Sequence, residues 1–180
     1  MATLRAEFEQ DRTQVGLIRL FRHSGGLVKF YSALGKAAVD DATDRGNPTC
    51  SPISLYGDTP LGRYKIIAIS PSGPGTPYDS HRYGDVGVIK LDPIGGDALL
   101  AKSVGRTGLL VHGGDPGPHS LLRRTNGCIR MMNSELRDLL DQIDQLGENV
   151  DTLDVAEVGG AGLGACDDNG RCGEQDPPPL

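Results

Sequence analysis

The chain has 180 residues, a mass of 19.0 kDa and a net charge of −6, which is typical of a single acidic domain with one core. Its charge argues against nucleic-acid binding, which usually needs a basic surface, and no apolar run is long enough for a transmembrane helix. Glycine accounts for 26 residues and proline for 12, so the chain turns often and leaves little room for long helices.

The first half of the chain is predicted to consist of short strands. Residues 1–14 carry several acids and no apolar run, so we interpret them as an N-terminal extension and predict no signal peptide. Apolar and polar residues alternate in 15–22 and again in 26–31, which predicts a hairpin. A further strand is predicted at 63–70, and the Pro-, Gly- and Ser-rich segment 71–80 is predicted to be irregular.

The second half is predicted to add three strands, at residues 85–91, 107–112 and 150–156. A short helix from Asp97 to Val104 is expected between the first two of these strands. From residue 159 onward the chain is rich in glycine, then acidic, and ends in Pro-Pro-Pro-Leu. We therefore interpret residues 159–180 as a loosely held tail.

One amphipathic helix is clear from the sequence. Apolar residues recur three and four positions apart over 136–146, which places them on one helical face. Asn133 or Ser134 is the expected N-cap, and Gly147 is the expected end. The whole pattern predicts a mostly β domain at 15–158 with one or two short helices.

The segment with the strongest chemical signal is 111–131. His112 ends a predicted strand, and Cys128 follows Gly127 in a loop. A thiol attacks carbonyls well but is mostly protonated at neutral pH, so it needs a base nearby. We predict that Cys128 is a nucleophile with His112 as its base, and that the backbone N–H groups of Gly127 and Cys128 face an oxyanion. The alternative is that the cysteine is a small core residue and the histidine only ends a strand.

This segment resembles the active-site signature of the YkuD-like L,D-transpeptidase catalytic domains. That family has a His-Gly pair followed by Ser/Thr-His-Gly-Cys-hydrophobic-Arg/Asn, and here His112 and Gly113 precede Thr-Asn-Gly-Cys-Ile-Arg at 125–130. Residues 57–64 resemble the family's Thr-Pro-x-Gly-x-Tyr/Phe motif. The resemblance covers roughly 15–157 and departs from the family pattern where Asn126 replaces a second histidine.

The resemblance implies a mostly β, β-sandwich-like fold and an activity on peptidoglycan stem peptides. Cys128 would attack the carbonyl of the third stem residue, release D-Ala and form a thioester. An amine of a second stem, a free D-amino acid or water would then accept the acyl group. His112 would serve as base and acid, and the Gly113 carbonyl would orient its ring. This L,D-transpeptidase or L,D-carboxypeptidase chemistry needs no cofactor and no metal.

Three residues next to the nucleophile are expected to contact the substrate. Arg130 would hold a substrate carboxylate in a bidentate fork, with an ion pair to Glu135 or Asp138 as the alternative. Thr125 and Asn126 precede the Gly-Cys pair and are assigned to substrate binding as well.

Tyr83 is a fourth predicted substrate-binding residue. It follows the irregular segment and, with His81, is a candidate for a lid over the site.

His119 is a candidate to replace the family's second histidine; the alternative is that His119 is an exposed loop residue. Because asparagine cannot titrate, Asn126 leaves two function classes open, namely an acyltransferase and a non-catalytic cell-wall-binding or immunity-type module on the same fold.

The other three cysteines predict no metal site. The Cys166–Cys172 segment lacks the second pair of soft ligands that structural zinc requires. A disulfide between these two residues is the simpler interpretation, and a bond from Cys50 to one of them is the alternative.

The expected location is extracytoplasmic, because peptidoglycan lies outside the cytoplasm, whereas no signal peptide is predicted. This combination favours a leader outside the sequence, another export route, or contact-dependent delivery of an antibacterial effector by a type VI-like secretion system. An effector would have an immunity protein or a secretion-system component as a partner in addition to peptidoglycan stem peptides.

Overall fold

The computed structural model describes residues 1–10, 12, 14–37, 51–117 and 121–158. In these ranges eight strands form one sheet, accompanied by three helices. The strands are β1 (Ala2–Phe8), β2 (Gly16–Phe21), β3 (Leu27–Ala33), β4 (Gly62–Ser70), β5 (Val88–Gly95), β6 (Leu110–His112), β7 (Ile129–Arg130) and β8 (Val150–Glu157). The helices are α1 (Ser80–Tyr83), α2 (Gly96–Ser103) and α3 (Asn133–Leu146). The predicted mostly β fold is confirmed.

The sheet curls until its two ends meet. Its strand order is β3-β2-β1-β8-β4-β5-β6-β7, so β3 and β7 are the outer strands. Just after β3, Leu34 exchanges two backbone hydrogen bonds of 2.9 Å with Arg130 of β7. This pairing protects the strand edges at that point and gives the sheet a near-barrel shape.

Strand β1 lies in the middle of the sheet and was not predicted. It pairs antiparallel with β2 and parallel with β8. Its alternate side chains Ala2, Leu4, Ala6 and Phe8 are at most 1% exposed. Because two of these four are alanines and charged residues stand between them, the segment has a weak strand pattern. Part of the predicted N-terminal extension therefore contributes a strand to this sheet.

The other predicted elements correspond closely to the observed ones. The predicted hairpin is the antiparallel pair β2–β3, and the strands predicted at 63–70 and 150–156 are the neighbours β4 and β8. The short helix predicted from Asp97 is α2. The single turn of α1 begins where the segment predicted to be irregular ends.

The N-cap of helix α3 lies at least one residue earlier than expected. Met132 occupies the N-cap position without a side-chain hydrogen bond, so the assignment of the cap to Asn133 or Ser134 is wrong. The physical reason is that the Asn133 side chain is used elsewhere, since its Oδ1 accepts a 2.7 Å hydrogen bond from the Gly114 N–H. The predicted end is confirmed, with Gly147 in the left-handed conformation at φ 61°.

The core is one cluster of apolar side chains, most of them from the strands, α2 and α3. Helix α3 contributes Leu136 and Leu139, both fully buried. The two short strands β6 and β7 each place one residue in this cluster, Val111 and Ile129. Burial of these two side chains fixes β6 and β7 against the core and so fixes the loops that follow and precede them.

Several predictions fall outside the described residues. The tail at 159–180 does so, as do Cys50, Cys166 and Cys172, so the tail and the disulfide stay predictions. None of the helices in the described ranges has the length and apolar character needed to cross a bilayer.

Candidate active site

A pocket of about 330 Å³ opens beside β6 and β7. Six residues that the sequence predicts for the site line it: Tyr83, His112, Thr125, Asn126, Cys128 and Arg130. The remaining lining residues are His81, Arg82, Arg123 and Arg124. The other two predicted residues, Gly113 and Gly127, are the chain neighbours of His112 and Cys128. The structure therefore brings all the predicted site residues to one place.

Pairing of β6 with β7 brings the histidine and the cysteine to one pocket. The strands are parallel, with Val111 opposite Ile129 and His112 opposite Arg130. Paired residues point to the same face, and side chains alternate along each strand. Since Val111 and Ile129 face the core, the residue after each of them faces the pocket. Cys128 directly precedes β7 and lines the same pocket as His112 and Arg130.

His112 is 4% exposed, and its imidazole is oriented by a neighbouring carbonyl. Its Nδ1 lies 2.7 Å from the Gly113 oxygen. Because a carbonyl only accepts hydrogen bonds, Nδ1 carries the proton of the neutral ring and Nε2 carries the lone pair. Burial lowers the pKa of His112 to about 4, although the Gly113 hydrogen bond raises this pKa; the Arg130 charge also lowers it. A hydrogen bond to the Arg82 backbone also raises the pKa of the ring. At neutral pH the ring is thus able to accept a proton.

Tyr83 forms the wall of the pocket beside this imidazole. Its ring centroid lies 5.0 Å from that of His112 and 5.3 Å from that of Tyr78, the latter in an edge-to-face contact. On the same helix, His81 contacts the carboxylate of Asp115 in the loop after β6. Both lid candidates therefore lie at the pocket, and movement of this segment stays a prediction.

The Cys128 residue retains partial solvent exposure. Desolvation of its sulfur raises the pKa of the thiol to about 11, and this effect is opposed by a backbone hydrogen bond from Leu110 and by the charges of Arg106 and Arg130. Together with the low pKa of His112, this gives a resting pair made of a neutral thiol and a neutral imidazole.

Gly127 has a backbone conformation that other residues rarely adopt. Its φ is +112°. A Cβ atom at this position would lie 2.6 Å from the guanidinium of Arg106 and 3.0 Å from the carbonyl oxygen of Gly57. Glycine is therefore needed here both for the turn and for the close packing behind the nucleophile.

Two threonine hydroxyls hold the turn that carries Cys128. Thr59 Oγ1 donates a buried 2.9 Å hydrogen bond to the Gly127 carbonyl. Thr125 Oγ1 donates to the Cys128 carbonyl at 2.7 Å and accepts the Gly127 N–H at 3.2 Å, a local pattern typical of threonine in turns. Thr59 belongs to the motif at 57–64 noted in the sequence, where it was given a turn-forming use and no role in the site, and 68 residues separate it from Gly127.

Arg106 lies behind the nucleophile and was also missed. It is 3% exposed, and its guanidinium donates to the backbone carbonyls of Pro52, Gly57 and Asp58 at 2.9, 2.9 and 3.0 Å. It thereby fixes the loop that leads to Thr59 and places positive charge near Cys128. A single arginine after a glycine gives no sequence signal for this role.

Arg130 connects two loops around the pocket. It donates to the carbonyls of Arg82 at 2.7 Å and Asp115 at 2.6 Å. The alternative of an ion pair with Glu135 or Asp138 is wrong, because both of these carboxylates accept hydrogen bonds from β3 instead. Two of the five N–H donors of Arg130 are thus used within the protein.

Asn133 is a third residue that sequence analysis did not assign to the site. Its Oδ1, which accepts the Gly114 N–H, occupies space that only glycines leave open. A Cβ on Gly113 would lie 2.0 Å from this oxygen, and one on Gly84 would lie 2.4 Å from it. Asn133 therefore fixes the backbone directly after His112, and its position at the start of a helix suggested only a cap.

Nothing in the described part of the chain resembles a metal centre. No group of three or more His, Cys, Asp and Glu side chains there is arranged to hold a metal ion. His119, the candidate substitute for the family's second histidine, lies outside the described residues, so that role stays a prediction.

Comparison with known proteins assigns the family. Residues 11–157 match the model of the YkuD family, described as the L,D-transpeptidase catalytic domain. A comparison with curated proteins finds no match. The matched range contains the pocket, both motifs noted in the sequence and seven of the eight strands. Because the match spans most of the 180 residues, the chain belongs to the YkuD family of L,D-transpeptidase catalytic domains, whose members generally act on peptidoglycan.

Proposed function

We propose that this protein is a cysteine acyltransferase that cleaves the L,D bond of peptidoglycan tetrapeptide stems. The observation that carries the proposal is the pocket that Cys128 and His112 both line, with the imidazole held by the Gly113 carbonyl. Membership of the YkuD family supports the substrate class.

In the proposed first half-reaction, Nε2 of His112 accepts the thiol proton while Sγ of Cys128 attacks the carbonyl of the third stem residue. The carbonyl oxygen becomes negative and is stabilised by the Cys128 N–H. The Gly127 N–H is the second donor, once it exchanges its 3.2 Å hydrogen bond to Thr125 for the oxyanion. The intermediate collapses to a thioester, and the leaving amine of D-Ala takes the proton from His112.

In the second half-reaction, an acceptor attacks the thioester. His112 removes a proton from the attacking amine or water and returns it to the sulfur as the thioester bond breaks. An amine of another stem gives a cross-link, a free D-amino acid gives exchange, and water gives L,D-carboxypeptidase activity. The thiol and the neutral imidazole are restored at the end of each cycle.

The protonation states support general-base catalysis. A thiol with a pKa of about 11 is protonated at pH 7, and an imidazole with a pKa of about 4 is unprotonated. The proton therefore moves during the attack, and no thiolate–imidazolium pair is present at rest. The positive charges of Arg106 and Arg130 stabilise the negative charge that develops on sulfur.

The predicted substrate-binding residues have distinct proposed roles. Tyr83 covers the imidazole and presents a ring face to the stem peptide. Asn126 is exposed in the pocket and is available for hydrogen bonds to substrate amides. Thr125 shapes the nucleophile turn, and Arg130 supplies positive charge from its buried position.

A non-catalytic wall-binding or immunity-type module is the second candidate function. Asn126 favours it, because a residue that cannot carry a proton stands where the family usually has a histidine. The two candidates differ in turnover, since a module binds the tetrapeptide and leaves its mass unchanged.

We further propose that the protein acts outside the cytoplasm, where peptidoglycan lies. The effector proposal adds delivery by a type VI-like system and an immunity protein as partner. Expression directed to the periplasm or retained in the cytoplasm tests it, with Cys128→Ala as the matched control. We expect the periplasmic wild type alone to impair growth, and equal growth of all strains would contradict the effector role.

Incubation with purified disaccharide-tetrapeptides followed by mass spectrometry tests the central proposal. Release of D-Ala, formation of a dimer or exchange of a D-amino acid is expected from the wild type. Retained binding with unchanged mass would contradict the acyltransferase and favour the module. The same assay separates transpeptidation, exchange and hydrolysis, because the three products differ in mass.

A further inference from the structure

The pocket is strongly basic although the chain as a whole is acidic. Four arginines and two histidines are among its ten lining residues, and no aspartate or glutamate of the described residues lines it. The chain carries 24 acidic and 18 basic residues, so this concentration of positive charge is not a consequence of composition. A cleft with one sign of charge attracts ligands of the opposite sign.

The four arginines differ in how they are used. Arg130 donates to two backbone carbonyls, and Arg82 lies 4.0 Å from the carboxylate of Asp79. Arg123 and Arg124 are exposed. In the part of the chain that the structure describes, neither of these two side chains makes a hydrogen bond or an ion pair.

The backbone that carries Arg123 and Arg124 is held on both sides. Before them, Leu121 accepts a 2.8 Å hydrogen bond from the Gly117 N–H. After them, the Thr125 N–H donates to Lys36 at 3.1 Å. The two arginines thus line the pocket that contains Cys128 from an anchored segment.

Their charge is felt inside the site. Arg123 is close enough to Arg130 to lower the pKa of that guanidinium, in addition to the effect of burial. Asp115 offsets part of this repulsion, since its charge raises the pKa of Arg130. A bound anion lowers the electrostatic energy of the clustered guanidinium groups further. Planar guanidinium groups bind carboxylates through two parallel N–H···O hydrogen bonds.

We propose that Arg123 and Arg124 form a carboxylate-binding subsite that selects acyl-donor stems with free side-chain carboxylates over amidated stems. This inference rests on the proposed function for its substrate. A stem peptide has carboxyl groups on its glutamyl and diamino-acid residues, and amidation removes their charge and their bidentate acceptor. The role of carboxylate recognition thus moves from Arg130 to two arginines whose donors are unused.

The first test needs no enzymatic activity. Iodoacetate and iodoacetamide both alkylate Cys128 with loss of iodide, but only iodoacetate carries a carboxylate. The rate of alkylation of Cys128 by iodoacetate, divided by its rate with iodoacetamide and measured by peptide mass mapping, reports the charge of the pocket. In Arg123→Gln/Arg124→Gln we expect this ratio to fall by about fivefold at low ionic strength, with a smaller change at high salt.

The matched control is Arg5→Gln/Arg22→Gln, which removes the same net charge at two arginines that do not line the pocket. Its alkylation ratio should equal that of the wild type. An unchanged ratio in the Arg123/Arg124 variant would overturn the subsite. The variant Arg123→Gln/Arg124→Glu, which removes one more unit of positive charge than the double glutamine variant, should lower the ratio further.

The second test compares kcat/KM for tetrapeptide donors with free and amidated side-chain carboxylates. The wild type should prefer the free carboxylates, and Arg123→Gln/Arg124→Gln should lose this preference while keeping activity on the amidated donor. Equal loss on both donors would overturn the specificity role. If the wild type releases D-Ala from neither donor, the proposed function fails, and the alkylation ratio still decides whether the two arginines attract a carboxylate to Cys128.

Discussion

The two walls of the pocket are built in opposite ways. The wall behind the nucleophile is a network of buried hydrogen bonds, in which Thr59 holds Gly127 and Arg106 holds the loop before Thr59. The other wall carries the exposed side chains of Arg123 and Arg124, which make no hydrogen bond or ion pair in the described part of the chain.

The difference indicates which wall controls chemistry and which controls recognition. Attack by sulfur depends on the position of Cys128 to a fraction of an ångström, and buried hydrogen bonds provide that precision. Recognition of a charged stem depends on long-range attraction and on flexible side chains. Changes to the anchored wall should therefore lower turnover or stability, and changes to the exposed wall should alter selectivity.

The largest expected effect is on the reacting pair of the anchored wall. Cys128→Ala removes the nucleophile and His112→Ala removes the base, so each should lower D-Ala release by about 10³-fold or more. The release assay on purified tetrapeptide measures this. Activity within tenfold of the wild type in Cys128→Ala would contradict the mechanism, provided that both proteins show the same unfolding midpoint.

The next effect is on the backbone beside the nucleophile. Gly127→Ala combines an unfavourable φ with a clash against Arg106 and Gly57, and should lower the free energy of unfolding by about 3 kcal/mol. The control is Gly25→Ala, which has a positive φ of 85° but no atom within 4 Å of the new Cβ. Gly25→Ala should lower the free energy of unfolding by about 1 kcal/mol. Equal losses of this free energy in the two variants, measured by urea titration, would show that packing behind Gly127 is unimportant.

Acid should destabilise the wall that contains His112. Its folded pKa of about 4 lies below the unfolded value of about 6.5, so the unfolded chain binds more protons between these values. Stability contributed by the neutral imidazole is therefore complete above pH 6.5 and is lost as the pH falls toward 4. From pH 7 to pH 5 this loss amounts to about 2 kcal/mol.

Urea unfolding of the wild type and of His112→Gln checks this. For each protein, the free energy of unfolding at pH 5 is subtracted from that at pH 7. The variant should lose less stability over this interval, whatever its stability at pH 7. His23→Gln, at an exposed position, should behave as the wild type does. An identical pH dependence in His112→Gln would show that the imidazole is not buried in its neutral form.

The smallest expected effect is that of a substitution at Thr59, which acts on Cys128 through the Gly127 carbonyl. Thr59→Val keeps the shape of the side chain but leaves the buried Gly127 carbonyl without its donor, which should cost about 1 kcal/mol of stability. Because the nucleophile turn loosens, kcat should fall by about tenfold and KM should change little. Thr152→Val on β8 is the control, and equal kcat values in the two variants would contradict a positioning role.

Local patterns predicted the parts of the fold that are locally determined. The hairpin of β2 and β3 has clear alternation, and α3 has a continuous apolar face that ends at Gly147. Strand β1 was missed because its buried positions include two alanines. Strand β7 has only two residues, and it becomes a strand only because β6 and Leu34 pair with it.

The candidate site shows the same limit. The spacing of His112 and Cys128 within one motif was visible in the sequence, as was the need for Gly127. Thr59 stands in a motif visible in the sequence, but its contact with Gly127 forms only in the folded chain, and no local pattern indicates Arg106. The alternative partners of Arg130 were wrong for a similar reason, since the loops that surround it are distant in sequence.

The most direct test of the account is capture of the acyl-enzyme. Wild-type protein mixed with tetrapeptide and quenched in acid should gain the mass of the stem minus D-Ala, and peptide mapping should place this thioester on Cys128. Cys128→Ala should gain no mass and release no D-Ala. Release of D-Ala that persists in Cys128→Ala, or an adduct on a different residue, would contradict the assignment of Cys128 as the nucleophile.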